Sequence, residues 1–483
     1  MIRKLCLLFF FALFFINSFG QNQQILFGFD QLPQTLMLNP GAEVTYDKHL
    51  GVPFLSNLYF QVGATNKDIT YNNIIAGTDS NSDILRNVYK ENLSNSDYFK
   101  INQKLEIFNA GFRLKNPKYY LSFGIYQELD GYSSYPKDLI NLFFEGDYSD
   151  TGNLIIDEKS SFDNINLVGE LVGVFHVGLS KKINERLNIG ARFKILSGSL
   201  NISGVNNKGH YILSDDALVR DYNHQFNQLN VLANSSGLID EKGNSVIGSS
   251  AEIAKGLFFM GGNIGLGLDL GFTYHASENI IVTGSLLDLD YLKYNNKITT
   301  YKITDDFKIP NDEPFNPTDG SELSYWENVL DLEDIESSTI VPIDVNSDNY
   351  KINRSPKLNA AVKYQTFREN KEKNNSAFRN TRYVTPVNEV LITEFGIQTY
   401  TAFRPNKVDW AITAFFSREL TKNLNTKITY TYDQFSAKNI GLGFSTHVRG
   451  FNFFATADNL LDLLKLKDSN YQSFQLGMNF IFD

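Results

Sequence analysis

Cysteine is almost absent from this 483-residue sequence. The only one, Cys6, lies within the first 20 residues, so the remaining chain can form neither a disulfide nor a thiolate metal site. The six histidines lack the close spacing of zinc-binding motifs. A Gly-x-Ser-x-Gly turn is missing, and the glycine-rich run 256–271 lacks the spacing of a nucleotide-binding loop. We therefore predict a non-enzymatic protein without catalytic residues, cofactor or metal. A Ser/His/Asp set assembled from distant positions needs no local motif and stays open.

Long apolar runs are also missing beyond residue 20, and the mean hydropathy is −0.24. A helical membrane protein needs about 20 apolar residues for each span, so this class is excluded. The run 5–16 follows Arg3 and Lys4 and precedes the small residues Ser18 and Gly20, which is typical of a secretory signal peptide over residues 1–20. A retained N-terminal anchor is the alternative. The net charge of −10, without a basic stripe, argues against a nucleic-acid partner.

What the sequence does contain is a strand-like alternation over residues 389–483. Apolar residues recur at every second position of several short segments, as a strand with one apolar face requires. In the last segment they are Phe474, Leu476, Met478, Phe480 and Phe482. A chain that ends inside such a strand is unusual for a soluble sandwich.

The last segment also resembles the C-terminal sorting signal of bacterial outer-membrane barrels. Its pattern is polar-x-Gly-x-x-aromatic-x-aromatic, and the residues that would form the assembly signal are Gln475, Gly477, Phe480 and Phe482. The resemblance implies an all-β fold, a transmembrane antiparallel β-barrel in the cell outer membrane. Outer-membrane lipid and the barrel assembly machinery would then be its partners.

Three similar hairpins support a barrel of about 14 strands, within a range of 12–16. Their strands flank short charged turns at 181–186, 276–279 and 419–423, and such turns suit the periplasmic side. We place the barrel at residues 51–483 and long extracellular loops at 65–101, 304–350 and 368–387. A short helix is predicted at 136–144, behind Pro136. The 39 Phe and 25 Tyr residues suit the aromatic girdles of a barrel.

We predict that residues 21–50 form an extended N-terminal segment or plug and not a barrel strand. It contains Pro33 and the turn-forming sequence Asn39-Pro40-Gly41. The Leu-Pro-Gln…Leu-Asn-Pro pattern, followed by Gly-x-Pro-x-Leu-Ser at residues 51–56, resembles the opening of an uncharacterised family of Bacteroidota outer-membrane barrels. That family is distantly similar to FadL-like transport barrels and to the type IX secretion barrels PorV and PorP. The resemblance implies no established activity.

The interior of such a barrel is too wide to be filled by its own strand side chains, so a plug fills it or it conducts. The segment 21–50 and the helix 136–144 are the candidate plugs. Residues with lumen-facing parity include Glu394, Gln398, Thr413, Lys427, Asp433 and His447.

Three functions remain open. The first is FadL-like passage of a hydrophobic or small solute. The second is an accessory or scaffold subunit of an envelope machine such as type IX secretion, in contact with other envelope proteins. The third is a soluble, secreted, β-rich binding protein.

Overall fold

The protein is a closed antiparallel β-barrel. The computed structural model describes residues 23–66, 94–95, 97–134, 136–149, 152–163, 165–216, 221–240, 245–311, 314–316, 342–370, 389–421, 423–435, 439–460 and 469–482. The strands are β1 (Lys48–Gly51), β2 (Leu58–Ala64), β3 (Tyr98–Arg113), β4 (Tyr119–Ser134), β5 (Ser160–Ser161), β6 (Asn166–Lys182), β7 (Leu187–Gly204), β8 (Lys208–Asp216), β9 (Asp221–Ser236), β10 (Ile264–His275), β11 (Ile280–Tyr294), β12 (Ile298–Ile303), β13 (Phe307–Asn311), β14 (Asp344–Asn346), β15 (Tyr350–Asn353), β16 (Lys357–Asn370), β17 (Glu389–Arg404), β18 (Lys407–Thr421), β19 (Leu424–Asp433), β20 (Asn439–Val448), β21 (Phe451–Ala457) and β22 (Tyr471–Phe482).

Fourteen positions around the wall close the cylinder. Strands β1 and β2 share one position and β15 and β16 share another, and the remaining positions belong to β3, β4, β6, β7, β10, β11 and β17 through β22. The barrel closes where β22 pairs with β1 and β2. The predicted barrel, its strand number and all three hairpins are confirmed.

The alternation in the sequence sorts the side chains between the two faces of this wall. On β18, Ile412 and Phe416 point outward and are 47% and 44% exposed, whereas Thr413 between them is fully buried in the interior. An apolar outer face with a polar inner face is what lipid outside and a hydrated or plugged interior require. Among the described residues, no helix is long and apolar enough to cross a membrane.

The two ends of the barrel differ. The turns 115–118, 183–186, 276–279 and 449–450 lie at the end where β22 finishes, because Lys48 pairs with Phe482 and Arg113 donates to the carbonyl of Asp47. The connection between β16 and β17 leaves from this same end, since Asn370 pairs with Glu389 beyond the pairing of Tyr364 with Ile280. The loop predicted at 368–387 thus leaves the wall at the end of the short turns, so this loop and those turns cannot lie on opposite sides of a membrane as predicted. Residues 371–388 themselves lie outside the described part.

The opposite end carries a second sheet outside the wall. Strands β5, β8, β9 and β13 form it, while β12 pairs with β9 and β14. The predicted loop 304–350 thus contains β13 and β14. Most of the predicted loop 65–101 lies outside the described residues, although β3 already begins at Tyr98.

The helix predicted at 136–144 is α1 (Lys137–Glu145), which follows Pro136 and ends at Gly146 with φ +63°. Its Leu139 and Leu142 pack against the core of the outer sheet. It does not enter the barrel interior, so its prediction as a plug is wrong. We call α1 and the outer sheet the cap.

A further helical segment lies against the outer face of the wall. It comprises α2 (Ser250–Lys255) and a π-helical turn (Gly256–Met260), and we call residues 249–260 the outer helix. Ser197 Oγ donates to the carbonyl of Gly256 at 2.5 Å and Ser199 Oγ to that of Ile253 at 2.9 Å. Both serines face away from the interior, because Lys194 and Leu196 on the same strand face into it.

Candidate functional site

The barrel interior is occupied by residues 23–46, the N-terminal segment. Lys427 Nζ donates to the carbonyl of Phe27 at 2.5 Å, and Gln398 Nε2 donates to the carbonyl of Gln24 at 2.5 Å. Further along, Arg192 donates to the carbonyl of Met37 at 2.8 Å, and Ser285 Oγ to that of Leu38 at 2.6 Å. Because these wall residues belong to β7, β11, β17 and β19, the segment is held from several sides.

The N-terminal segment brings its own apolar core into this polar interior. Leu26, Phe27, Phe29, Leu32 and Leu38 are buried together with the wall residues Leu287, Ala361 and Phe454. Burying a Leu or Phe side chain contributes about 1.5–3 kcal/mol, so five such residues give the segment a strong preference for this location. An ion pair joins its Asp30 to Lys363 of the wall at 2.7 Å, and its Glu43 lies 2.9 Å from His275 Nε2 of β10.

The turn that contains Asn39 and Pro40 packs directly on the backbone of two wall glycines, Gly190 and Gly271, which we call its seat. A Cβ at Gly271 would lie 2.1 Å from Asn39 Oδ1, and a Cβ at Gly190 would overlap the carbonyl of Pro40. Only a residue without a side chain permits this approach.

The predicted extended conformation of residues 21–50 differs from the structure in two places. Pro33–Met37 is a 3-10 helix, which Pro33 favours at its first position. Lys48–Gly51 is not a separate segment but part of the wall, paired with both β22 and β3.

Beside the N-terminal segment lies a network of buried ion pairs, the ion lattice. Its seven cations and seven anions are Lys100, Lys104, Arg192, Lys194, Arg354, Lys357 and Arg404, with Glu128, Asp130, Glu170, Asp269, Asp288, Asp290 and Asp409. The charges balance within the lattice. Balance is required, because a buried ion without a partner costs several kcal/mol.

The centre of the lattice is Lys194, which is 0% exposed. Its Nζ lies 2.9 Å from Asp269, 2.6 Å from Asp288 and 2.8 Å from Asp290. The three carboxylates could otherwise hold a metal ion, since their ligand atoms lie within 4.8 Å of one another. The ammonium group already occupies the position that a cation would take.

Other pairs connect distant parts of the wall. Arg404 of β17 forms a two-pronged pair with Asp130 of β4 at 3.1 Å, and Arg354 contacts Glu128 of β4 at 3.0 Å and Glu170 of β6 at 2.5 Å. Strands β4 and β17 are six positions apart in a wall of fourteen, so the pair bridges the interior. Together the lattice and the N-terminal segment leave a cavity of about 40 Å³ between them, room for a few water molecules.

The structure places the six residues with predicted lumen-facing parity as follows. Gln398 and Lys427 contact the N-terminal segment, and Glu394 pairs at 2.9 Å with Lys363, which also binds Asp30. Thr413 is hydrogen-bonded to Thr431 at 2.8 Å. Asp433 accepts from the amide of Phe435 at 2.7 Å, and His447 is half-buried opposite Asn452. Glu394, Gln398 and Lys427 thus lie together where the wall contacts the N-terminal segment. The other three residues are spread along the wall.

The residues of the predicted assembly signal lie in β22. Gln475 is buried and donates to Asn57 at 2.8 Å, and Gly477 lies against the ring of Phe454. Phe480 and Phe482 point outward and are 41% and 51% exposed.

Sequence reasoning missed the ion lattice, although part of its signal is visible. Charged residues occur two positions apart on one strand face in Glu128/Asp130, Arg192/Lys194 and Asp288/Asp290. A strand that shows two charges on one face, inside an otherwise apolar pattern, indicates an interior charge site.

Three solved structures match nearly the whole chain at 8–10% sequence identity. The toluene transporter TodX of Pseudomonas putida is 8% identical with a TM-score of 0.37, covering 96% of this chain and 97% of that chain. The toluene transporter TbuX of Ralstonia pickettii is 10% identical with a TM-score of 0.40, covering 97% and 100%. A FadL homologue of Pseudomonas aeruginosa is 8% identical with a TM-score of 0.40, covering 97% and 99%.

No curated protein is significantly similar to the sequence. The model of DUF5723, a family of unknown function, matches residues 40–458, and the chain belongs to that family.

Proposed function

We propose that this protein is a non-enzymatic outer-membrane barrel that passes a small hydrophobic solute, with the N-terminal segment as its movable plug. The observation that carries this proposal is an interruption of the wall directly in front of the plug. Strand β1 ends at Gly51 and β2 begins at Leu58, and the residues between them leave the regular ladder.

The interruption has an apolar outer side. Phe54 and Leu55 are 56% and 45% exposed, and Phe54 has a φ of +61°. The amide of Val52 still donates to the carbonyl of Met478 at 3.0 Å, and the amide of Met478 to the carbonyl of Leu55 at 2.8 Å. On the side of β3, the amide of Phe54 donates to the carbonyl of Ile107 at 3.2 Å and the amide of Glu106 to that of Asn57 at 2.9 Å. Two hydrogen bonds on each side therefore hold an outward loop, which is a less regular closure than a continuous ladder.

The inner side of the interruption is polar and touches the plug. Asn57 donates to the sulfur of Met37 at 3.7 Å. Gln34 lies alongside and bonds to Glu106 at 3.1 Å and to Asn479 at 2.9 Å. Moving this part of the plug would uncover the inner side of the outward loop.

The mechanism follows from these contacts. The solute enters from the cap end, and the plug moves away from the wall at Gln34. The apolar surface of Leu287, Ala361 and Phe454, which the plug covers at rest, then receives the solute. The solute leaves sideways between Gly51 and Leu58, where the ladder is already interrupted.

Locking the plug tests this mechanism. The chain beyond residue 20 has no cysteine, so Gln34→Cys with Asn479→Cys introduces the only thiols available for a crosslink in the barrel. We expect whole cells that express the reduced double variant to take up N-phenyl-1-naphthylamine faster than cells without the protein, and oxidation to abolish the difference. Each single cysteine variant, oxidised in parallel, is the control. Equal uptake by crosslinked and reduced barrels would refute the plug mechanism.

A scaffold role in an envelope machine such as type IX secretion is the second candidate. The observation that favours it is the filled interior, where the cavity of about 40 Å³ is smaller than any solute of the proposed class. In this case the cap, with its own core, would make the contacts with envelope proteins. Affinity purification from native membranes separates the two: stable co-purification of secretion components, with no solute uptake, would establish the scaffold role.

A further inference from the structure

A horizontal row of outward-facing residues crosses four neighbouring wall strands near the cap end. Ser197 pairs with Ile264, Ile264 with Lys293, and Lys293 with Lys351. Paired residues of antiparallel strands project to the same face, about 4.5–5.5 Å apart. The outer helix covers Ser197, so the row begins at that helix and ends in two lysines.

The two lysines are an unfavourable pair unless an anion lies between them. Like charges directly opposite each other destabilise a sheet. Both side chains are exposed on the lipid side of the wall, and no ion pair among the described residues involves either of them. Lys351 instead makes a cation–π contact, with its Nζ 4.1 Å from the ring centre of Tyr291. The positive charge of this pair is therefore available to a ligand.

Below the lysines the same face is apolar. One step down, Leu266 pairs with Tyr291, and one step further Leu268 pairs with Leu289. These four side chains are 38–39% exposed. The outer helix packs on the neighbouring strands β6 and β7, and its Phe258 and Met260 are 39% and 69% exposed. A cationic pair above an apolar stripe matches an amphiphile with an anionic head and hydrocarbon chains.

The height of the row identifies the leaflet. Lys293 lies 13 residues beyond Ile280, where β11 leaves the short turn. At about 3.3 Å for each residue and a tilt of about 40°, this is roughly 33 Å above the turn. The apolar band of such barrels is about 25 Å tall, so the lysines stand just above it at the end opposite the short turns. In an outer membrane this end faces the outside.

We infer that Lys293 and Lys351 bind the phosphate of a lipid A-class glycolipid in the outer leaflet, while its acyl chains lie along the stripe of Leu266, Leu268 and Leu289. Tyr291 holds the Lys351 side chain over the stripe. The outer helix limits the site on one side. This inference is independent of the proposed solute passage and of whether the plug moves.

Native mass spectrometry of the full-length mature barrel, titrated with monophosphorylated lipid A, tests the inference. We expect the double variant K293Q/K351Q to bind this lipid at least about ten-fold more weakly than the wild type. The matched control is K181Q/K182Q, which removes two lysines, one of them also over a tyrosine ring, at the short-turn end. We expect the control to bind as the wild type does, and both variants to keep the heat-modifiable migration of a folded barrel.

Two further lipids sharpen the test. Lipid A without its phosphate should bind the wild type as weakly as the phosphorylated lipid binds K293Q/K351Q. Equal binding of lipid A with and without phosphate would refute the inference, and so would unchanged binding by K293Q/K351Q. Phosphatidylglycerol binding as tightly as lipid A would also overturn it, because the row would then take a phospholipid and not an outer-leaflet glycolipid.

Discussion

Replacing Lys194 by methionine is the most direct test of the ion lattice. The ammonium group lies within 2.6–2.9 Å of Asp269, Asp288 and Asp290, and it is fully buried. The variant keeps the shape of the side chain but leaves seven buried anions against six cations. Breaking a buried ion pair from one side costs about 3–5 kcal/mol, since the remaining charge has neither water nor a partner. We therefore expect Lys194→Met to lower the free energy of unfolding by about that amount.

Urea unfolding of the refolded barrel in detergent, followed by heat-modifiable migration on gels, measures this difference. Lys182→Met is the matched control: Lys182 pairs with Glu185 at 2.9 Å on an exposed turn, where water screens the pair, and we expect an unchanged midpoint. Adding Asp288→Asn to Lys194→Met restores the balance of charges and should recover part of the loss. A midpoint of Lys194→Met equal to that of the wild type would refute the account of the lattice as a paired, buried charge system.

Four other predictions concern the wall, the seat of the plug and the cap. Ile412→Arg, on the lipid face near mid-height of β18, should cost about 2–4 kcal/mol in urea unfolding, with Ile412→Leu near neutral. Truncation after Asn479 removes the outward residues Phe480 and Phe482 and part of the pairing of β22 with β1, so heat-modifiable barrels should not accumulate in the outer membrane. Gly271→Val should push Asn39 from its seat at a cost of about 1–3 kcal/mol, and limited proteolysis should then cut the N-terminal segment. In the cap, burial raises the pKa of Asp147, which accepts from Tyr211 Oη at 2.6 Å and from the amide of Phe315 at 2.7 Å. The folded cap then binds this proton more tightly than the unfolded chain does, so cap stability should be greatest below the ordinary aspartate pKa of about 4 and fall as the pH rises through the raised value. Hydrogen exchange at Phe315 measures this dependence, and Asp147→Asn should remove it.

The wall was predictable from the sequence because its signal is local. A period of two fixes the face of each residue, and short charged turns fix the hairpins; the strand number and the last strand followed from these. The chain belongs to a family of unknown function, whereas the Bacteroidota origin and the similarity to PorV and PorP stay predictions. The side of the loop 368–387 was not predictable from its polarity, because polarity marks a solvent-exposed connection at either end. Only the direction of β16 decides it.

The interior was predictable only in part. Residue parity points Gln398 and Lys427 inward, but their partners in the N-terminal segment lie 374 and 400 positions away. The same holds for Asp130 and Arg404, which are 274 positions apart. The shape of the N-terminal segment depends on the cavity that receives it, so neither its 3-10 helix nor its contacts follow from its own composition. Such contacts appear only once the closed wall brings distant strands together.

The contact between Gln34 and Asn479 joins residues near the two ends of the chain, as does the pairing of β1 with β22. During biogenesis Gln34 and β1 can reach their final partners only after β22 has been synthesised. The pairing of β22 with β1 and β2 completes the cylinder and fixes the N-terminal segment inside it in a single event. A chain that lacks β1 or β22 would therefore lose the closed wall and the fixed interior together.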